Sequence, residues 1–366
     1  MYIWEYSEWP NFFYNEKEIA SILEECHIEQ GKLLSKMEIL GISEKEEKIL
    51  STITSDIIKS SEIEGYILNK EQVRSSIARR LRIQTSGLVN SDRNIDAVVE
   101  MMLDATQNYE QPLTEERLFA WHACLFPTGY SGMYKIDVGK YRENPMQVVS
   151  GGIGLEKVHY EAPKPEQVSV EMQKFLEWIN SDFSDGLVKS ATAHLWFVTI
   201  HPFDDGNGRI ARTISDMLLC RSDKSSLRFY SMSTQIMNEK NDYYSILERT
   251  QKGTLDITEW IKWFLNCVLK AIKLSFEQTC SILKKYAYLK SIENISLNER
   301  QRLMIQKILD VSWYGVLNTS KWAKIAKCST DTALRDISDL IKKGILEKEA
   351  TSGGRSTNYK IREISL

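Results

Sequence analysis

The sequence predicts an all-α fold with one small β-hairpin set into its core, and three observations carry that reading. Apolar residues recur at three- and four-residue spacing through most of the 366-residue chain. Residues that favour helix starts head those stretches, as Thr114 does before Glu115-Glu116 and Ser329 before Thr330. Extended runs are confined to Met146–Ser150 with Val158–Tyr160, and to a short C-terminal pair around Leu346 and Tyr359–Ile361.

Taken in order, the chain opens on Tyr2, Trp4, Tyr6, Trp9, Phe12, Phe13 and Tyr14, a cluster expected to pack a short segment against a larger body. Ser43 followed by Glu46 reads as a capping box. Ile49, Ile53 and Ile57 continue that helix until Gly65 ends it. Helices follow to about Arg82, where Thr85-Ser86-Gly87 and Asn90-Ser91-Asp92 interrupt before another helix from Arg93 to Asn108. The helix headed by Thr114 runs into Phe119, Leu125 and Phe126. Gly139-Lys140-Tyr141-Arg142 then leads into the first extended run, a Gly151-Gly152 turn and the second run.

Leu187, Ala191, Leu195 and Val198 mark a helix to Ile200, which stops where Pro202 forces His201 out of helical geometry. Ile210, Ile214, Met217 and Leu218 restart the pattern, and Tyr243-Tyr244 begins a helix containing Ile246 and Leu247. Beyond Ser296, helices over Glu299–Leu309, Ser320–Ala326 and Thr330–Lys342 precede a hairpin turning at Gly353-Gly354, an order that resembles a winged helix-turn-helix. Three domains are expected: 1–92, with the helix of about 43–65; 93–275; and 290–366.

Composition narrows the function classes. At 42% apolar and 27% charged, with net charge −3, the chain is ordinary for a soluble globular protein and carries no whole-molecule signal for nucleic acid or membrane. Residues 291–366 hold 13 Lys and Arg against 9 Asp and Glu, +4, which leaves −7 for the rest. On the third helix of that region Asp331, Asp336 and Asp339 stand beside the single Arg335 and would repel phosphate, so protein contact or dimerisation is favoured over DNA. The six cysteines show no close pair, which fits reduced thiols in a cytoplasmic protein. No N-terminal signal is visible. The apolar stretch from Trp260 to Leu274 contains Lys262, Lys270 and Lys273 and is too short and charged to span a bilayer. No P-loop pattern occurs, and His194 with His201 lacks a third ligand at convincing spacing, which argues against zinc.

One segment concentrates chemistry: His201-Pro202-Phe203-Asp204-Asp205-Gly206-Asn207-Gly208-Arg209-Ile210-Ala211-Arg212. His201 sits at a helix end as a candidate base. Gly206-Asn207-Gly208 lies just before the next helix, whose free amides and positive dipole end suit phosphate. Arg209 and Arg212, three apart, add guanidinium forks. A lone Asp-Gly-Asn-Gly stretch is more often an ordinary turn, but all the parts together match, position by position, the signature of the Fic family, which the chain therefore resembles.

That resemblance implies a protein adenylyltransferase, which transfers AMP from ATP to a Ser, Thr or Tyr hydroxyl of a target protein and of itself and releases pyrophosphate. It implies His201 as general base, Asp205 as holder of Mg²⁺, the Gly206, Asn207 and Gly208 amides as phosphate cradle, and Arg209 and Arg212 as neutralisers of the leaving charge. Phe203 is expected to pack inward, and Asp204 occupies the variable position. Ser60-Ser61-Glu62-Ile63-Glu64-Gly65 is similar to the family's inhibitory motif, which implies that Glu64 pairs with Arg212 and fills the space of the γ-phosphate, with Ser60 in the same motif. The resemblance also assigns Val149 to a flap that adds a target strand, and one of Tyr243 and Tyr244 to the adenine pocket. Two alternatives stay open: a winged-helix regulator whose core senses nucleotide, and transfer of a different group, UMP or phosphocholine. A homodimer is compatible with either.

Overall fold

The all-α expectation holds, and the chain's most apolar helix accounts for its organisation. In the computed structural model, which describes residues 1–85, 87–151, 157–182, 185–309, 313, 315–349 and 357–362, every residue from Leu187 to Ile200 is buried. A helix buried on all sides must be surrounded, and its few polar side chains, such as His194 and Thr192, find partners inside. Around it the first unit, Met1–Phe276, arranges α1 (Glu16–Ile39), α2 (Ile42–Ile63), α3 (Lys70–Leu81), α4 (Arg93–Gln107) and α5 (Glu115–Leu125). The short strands β1 (Tyr130–Ser131), β2 (Tyr134–Lys135), β3 (Gln147–Ser150) and β4 (Lys157–Glu161) follow. Then come α6 (Pro165–Ile179), the central α7 (Gly186–Ile200), α8 (Asn207–Asp223), α9 (Met232–Asn238), α10 (Lys240–Gln251) and the first half of α11 (Thr258–Ser291). α8 is buried from Arg209 to Cys220, so α7 and α8 form the helix pair on which the loop 201–206 is mounted.

Local chemistry sets most boundaries. Side chains of Asn15, Asn69, Asp92, Thr114, Asp185 and Ser231 accept from the first-turn amides of α1, α3, α4, α5, α7 and α9. The helix expected from a Ser43 cap begins instead at Ile42 behind Gly41, which makes no side-chain cap. The cap falls two residues early because burial of the inner face of α2, Ile49, Ile53 and Ile57, outweighs the missing side-chain cap. Likewise α10 begins at Lys240, three residues before Tyr243. The aromatic opening packs as expected. Trp9 and Phe12 lie edge-on to Trp196, Tyr2 lies edge-on to Tyr160, and Phe13 exchanges backbone hydrogen bonds with Leu255 and Ile257.

β3 and β4 form an antiparallel ladder in which Val148 pairs with Tyr160 but Val149 with Val158, so His159 is the extra residue of a bulge. Gly152, the second turn glycine, lies outside the described residues, as do Ser86 of the expected break after α3 and the Gly353-Gly354 turn.

One buried ionic cluster ties α2 to the centre. Arg228 donates from Nη2 to Asp216 Oδ1 at 2.8 Å, and its Nη1 lies 3.8 Å from Asp223 Oδ2. Asp56 of α2 accepts from Ser231 Oγ at 2.7 Å and from the Ser233 amide at 3.1 Å. Burial pushes Asp216 up to about 8 and raises Asp56, while Arg228 opposes both shifts. Arg228→Ala should therefore lower stability by about 3–5 kcal/mol, because three buried carboxyls lose their cation. A urea midpoint unchanged from that of the wild type would show that the carboxyls do not need it.

The second unit, Glu277–Leu366, contains α12 (Glu299–Ile308), α13 (Thr319–Ala326), α14 (Thr330–Lys342) and the paired strands β5 (Leu346–Lys348) and β6 (Tyr359–Ile361). Met304, Trp322, Ile337, Leu340 and Leu346 lie in its core. The expected repulsion of phosphate by the α14 aspartates needs correction. Asp336 is nearly buried and accepts from Arg300 Nε at 2.8 Å and Asn298 Nδ2 at 2.9 Å, and Asp339 pairs with Lys343. Those two charges are neutralised internally, which the spacing of acidic residues could not reveal.

Candidate active site

The loop after α7 is built by backbone geometry. His201 is the left-handed cap of α7, with φ 52°. Arg142, 2% exposed, braces it by donating from Nε to the His201 carbonyl at 2.8 Å, and the Arg142 amide donates to the Pro202 carbonyl at 2.9 Å. Asn207 folds back on the loop: its Nδ2 donates to the Phe203 carbonyl at 2.7 Å, and its Oδ1 accepts from the Phe203 amide at 3.0 Å. Phe203 is fully buried and stacks on His122 at 4.2 Å. At Gly206, φ is +84° and a Cβ would fall 2.9 Å from the Phe126 ring, so only glycine fits. Gly206 caps α8, which places Asn207 and Gly208 in the helix's first turn rather than ahead of it.

His201 Nδ1 lies 3.1 Å from the Val198 carbonyl. A carbonyl only accepts, so Nδ1 carries the hydrogen and Nε2 keeps its lone pair. Burial is the largest influence on this imidazole and pushes its pKa down to about 4, with the Val198 hydrogen bond opposing and Arg142 reinforcing the shift. The ring is neutral at pH 7 and can take a proton.

Asp205 is held from three directions. Its Oδ1 accepts from the Gly206 amide, and its Oδ2 accepts from Ser131 Oγ and from Tyr66 OH, the latter at 3.1 Å. Asp204, to which no role was assigned, accepts from the Asp137 amide at 3.0 Å.

The two arginines meet the last turn of α2 and the residues that follow it. Arg212, 1% exposed, donates from Nε to Ser60 Oγ at 2.9 Å, and from Nη2 to the Ser60 carbonyl at 2.9 Å and Glu64 Oε1 at 2.8 Å. Its buried Nη1 has no partner. Glu64 Oε1 also covers Gly208, where a Cβ would lie only 2.2 Å from it. Arg209 is buried with Nε and Nη2 unpartnered, its guanidinium 4.3 Å from the Tyr66 ring and 4.8 Å from the Phe126 ring.

A cavity of about 830 Å³ opens in front of these groups, ample for a drug-sized ligand, for which sites of roughly 300–1,000 Å³ are usual. Its lining includes Glu64, Val149, His201, Asp205, Gly206, Asn207, Gly208, Tyr243 and Tyr244. Of the residues expected at the site, Ser60, Arg209 and Arg212 are not in that lining; Ser60 and Arg212 pack with Glu64, and Arg209 packs under Tyr66. A hollow of similar size in the second unit, lined by residues such as Lys307, Lys324 and Trp313, offers no histidine or carboxylate and lacks this chemistry.

Several contacts at the site escaped the sequence reading. His159, re-aimed by the bulge, lies between Ser150 and Glu248, with Nδ1 2.7 Å from Glu248 Oε2, and joins β4 to α10. His194 lies 2.9 Å from Tyr243 OH and fixes that buried ring; burial, reinforced by Arg212, takes its pKa to about 3. Tyr244 is 39% exposed on the cavity wall. Arg142, Tyr66 and Ser131 act only through long-range contacts, and the one available signal was Tyr66's place directly after the Glu64-Gly65 pair.

Residues 112–219 match the Fic/DOC family model. That segment is a Fic/DOC match within the chain. Residues 2–83 match a second model, described as a domain of unknown function, DUF4172. Over 222 residues it is 27% identical to protein adenylyltransferase Fic of Drosophila willistoni, an alignment that covers 60% of this chain and 40% of the relative. The Drosophila virilis protein of the same name is 26% identical over 242 residues, covering 65% and 46%. The chain thus spans under half the length of these relatives. Among solved structures, the fold is similar to a Fic family protein from Desulfovibrio desulfuricans G20 (TM-score 0.54, 19% identity, 97% of this chain and 98% of that one). It is also similar to a Fic domain containing signaling protein from Bacteroides thetaiotaomicron (0.52, 22%, 69% and 97%). Among the described residues no helix is long and apolar enough to cross a membrane.

Proposed function

We propose that this protein transfers AMP from ATP to a hydroxyl of a protein target and of itself, and that Glu64 restrains the reaction. One observation carries the proposal: a neutral imidazole with a free Nε2 shares a cavity with the glycine-lined first turn of α8, and an internal carboxylate covers that turn. The cradle is an anion site by its amides and helix dipole.

In the reaction, the target hydroxyl oxygen attacks the α-phosphorus of ATP and its proton passes to His201 Nε2. A P–O bond forms, and the bond between the α-phosphorus and the bridging oxygen breaks, so that pyrophosphate leaves. Amides of the α8 first turn hold phosphate oxygens, and Arg209 and Arg212 offset the charge on the departing group. No cluster of three metal-binding side chains exists among the described residues. A single oriented carboxylate, Asp205, fits a Mg²⁺ ion held mainly by phosphates and water, which would supply charge neutralisation at the bridging oxygen. Tyr243 and Tyr244 are the aromatic walls for the base. Among the described residues β3 pairs only with β4, so its outer edge, which bears Val149, can add an extended target segment.

ATP labelled on its α-phosphate tests the reading. The label should enter the protein, while label on the γ-phosphate should leave as pyrophosphate. Incorporation of the γ-label would make the protein a kinase, and incorporation from UTP or CDP-choline but not ATP would change the transferred group. No incorporation, with tight binding of duplex DNA, would favour a regulator.

A further inference from the structure

Glu64 is not the only side chain by which the end of α2 reaches the residues of the site. Gly65 turns the chain at φ +83°, and the Tyr66 amide donates to the Ser61 carbonyl at 3.0 Å, so residues 64–66 form one rigid cap. From that cap the Tyr66 ring lies 4.3 Å from the Arg209 guanidinium, which the Phe126 ring meets at 4.8 Å. Its hydroxyl lies 2.9 Å from Ser131 Oγ and 3.1 Å from Asp205 Oδ2. Two groups assigned to triphosphate and metal are therefore oriented by one tyrosine from outside the Fic motif.

We propose that Tyr66 is a positioning residue for nucleotide binding: its ring clamps Arg209, and its hydroxyl, with Ser131, sets the rotamer of Asp205. The inference rests on the nucleotide-transfer reading above. Arg209 is a planar cation with buried donors left unpartnered, an arrangement that is costly until a ligand supplies acceptors. Rings on two sides keep that fork from turning away. Asp205 has lone pairs beyond those it uses, and the two hydroxyls fix which of them face the cavity, as partners of metal-holding carboxylates do. The same cap thus carries a side chain that blocks the phosphate cradle and one that prepares it. Inhibition should then be relieved by rotation of Glu64 alone, because withdrawal of the whole cap would also dismantle the site.

The two functions of Tyr66 separate by substitution in a Glu64→Gly background, with ATP binding followed by calorimetry in EDTA and in Mg²⁺. Tyr66→Phe keeps the clamp, so metal-free binding should be unchanged while the Mg²⁺ concentration needed for tight binding rises about tenfold. Ser131→Ala should reproduce that pattern. Tyr66→Leu loses the clamp too and should weaken metal-free binding by about three- to tenfold. If Tyr66→Leu fails to fold, Tyr66→Phe and Ser131→Ala decide the matter. Binding by both equal to that of Glu64→Gly in EDTA and in Mg²⁺ would overturn the positioning role. Failure of Glu64→Gly itself to bind ATP would instead overturn the nucleotide-transfer reading.

Discussion

His201→Ala, introduced into the Glu64→Gly protein, should slow AMP transfer by about 10²- to 10⁴-fold, the usual contribution of a positioned general base. ATP binding should change little, because the phosphates are assigned to α8 amides and arginines and not to the imidazole. The route to this expectation is geometric. Val198 fixes the protonated nitrogen, Arg142 fixes the backbone that carries the ring, and Nε2 is left as the base. A variant that keeps more than a tenth of the rate would remove His201 from the chemistry.

The same ring has a pH signature. An ordinary imidazole is half protonated near 6.5, whereas burial brings His201 to about 4. Depression of a histidine pKa extends the neutral, proton-accepting form downward in pH. The acidic limb of kcat/KM, which reports the free enzyme, should accordingly fall near pH 4, with no loss on descent from 7.5 to 5.5. A limb at 6.5 would mean that the loop is open to water.

Legibility in the sequence followed the range of the forces involved. The helix pair α7–α8 and its intervening loop could be read because apolar residues at helical spacing, a proline after His201 and glycines around Asn207 are local signals with local causes. Glu64 was legible only through resemblance, since nothing in its neighbours predicts a partner 148 residues away. Contacts that depend on how helices pack stayed hidden. Arg142 gives no hint in sequence that it braces Pro202, and the bulge that re-aims His159 is a matter of register. The α14 aspartates misled for the same reason: Asp336 meets Arg300 of α12 rather than a residue of its own helix.

Glu64→Gly should raise AMP incorporation by about 5- to 150-fold, the range of a coupling of roughly 1–3 kcal/mol between two ligands of one site. Here the first ligand is the protein's own carboxylate, held over Gly208 and against Arg212 in the same chain. Its removal should not release α2, because Ile49, Ile53, Ile57 and Asp56 are buried and Asp56 is bonded to the start of α9. Arg212 also keeps both bonds to Ser60. What it loses is an acceptor for Nη2, beside an Nη1 that has none, so the variant holds a buried cation in deficit of acceptors. A triphosphate is then the best available partner. Glu64→Gln, which keeps the shape but removes the charge, should fall between wild type and Glu64→Gly in both rate and ATP affinity. Equal rates for all three proteins would show that Glu64 does not compete with nucleotide, and that its ion pair with Arg212 serves only to hold the fold together.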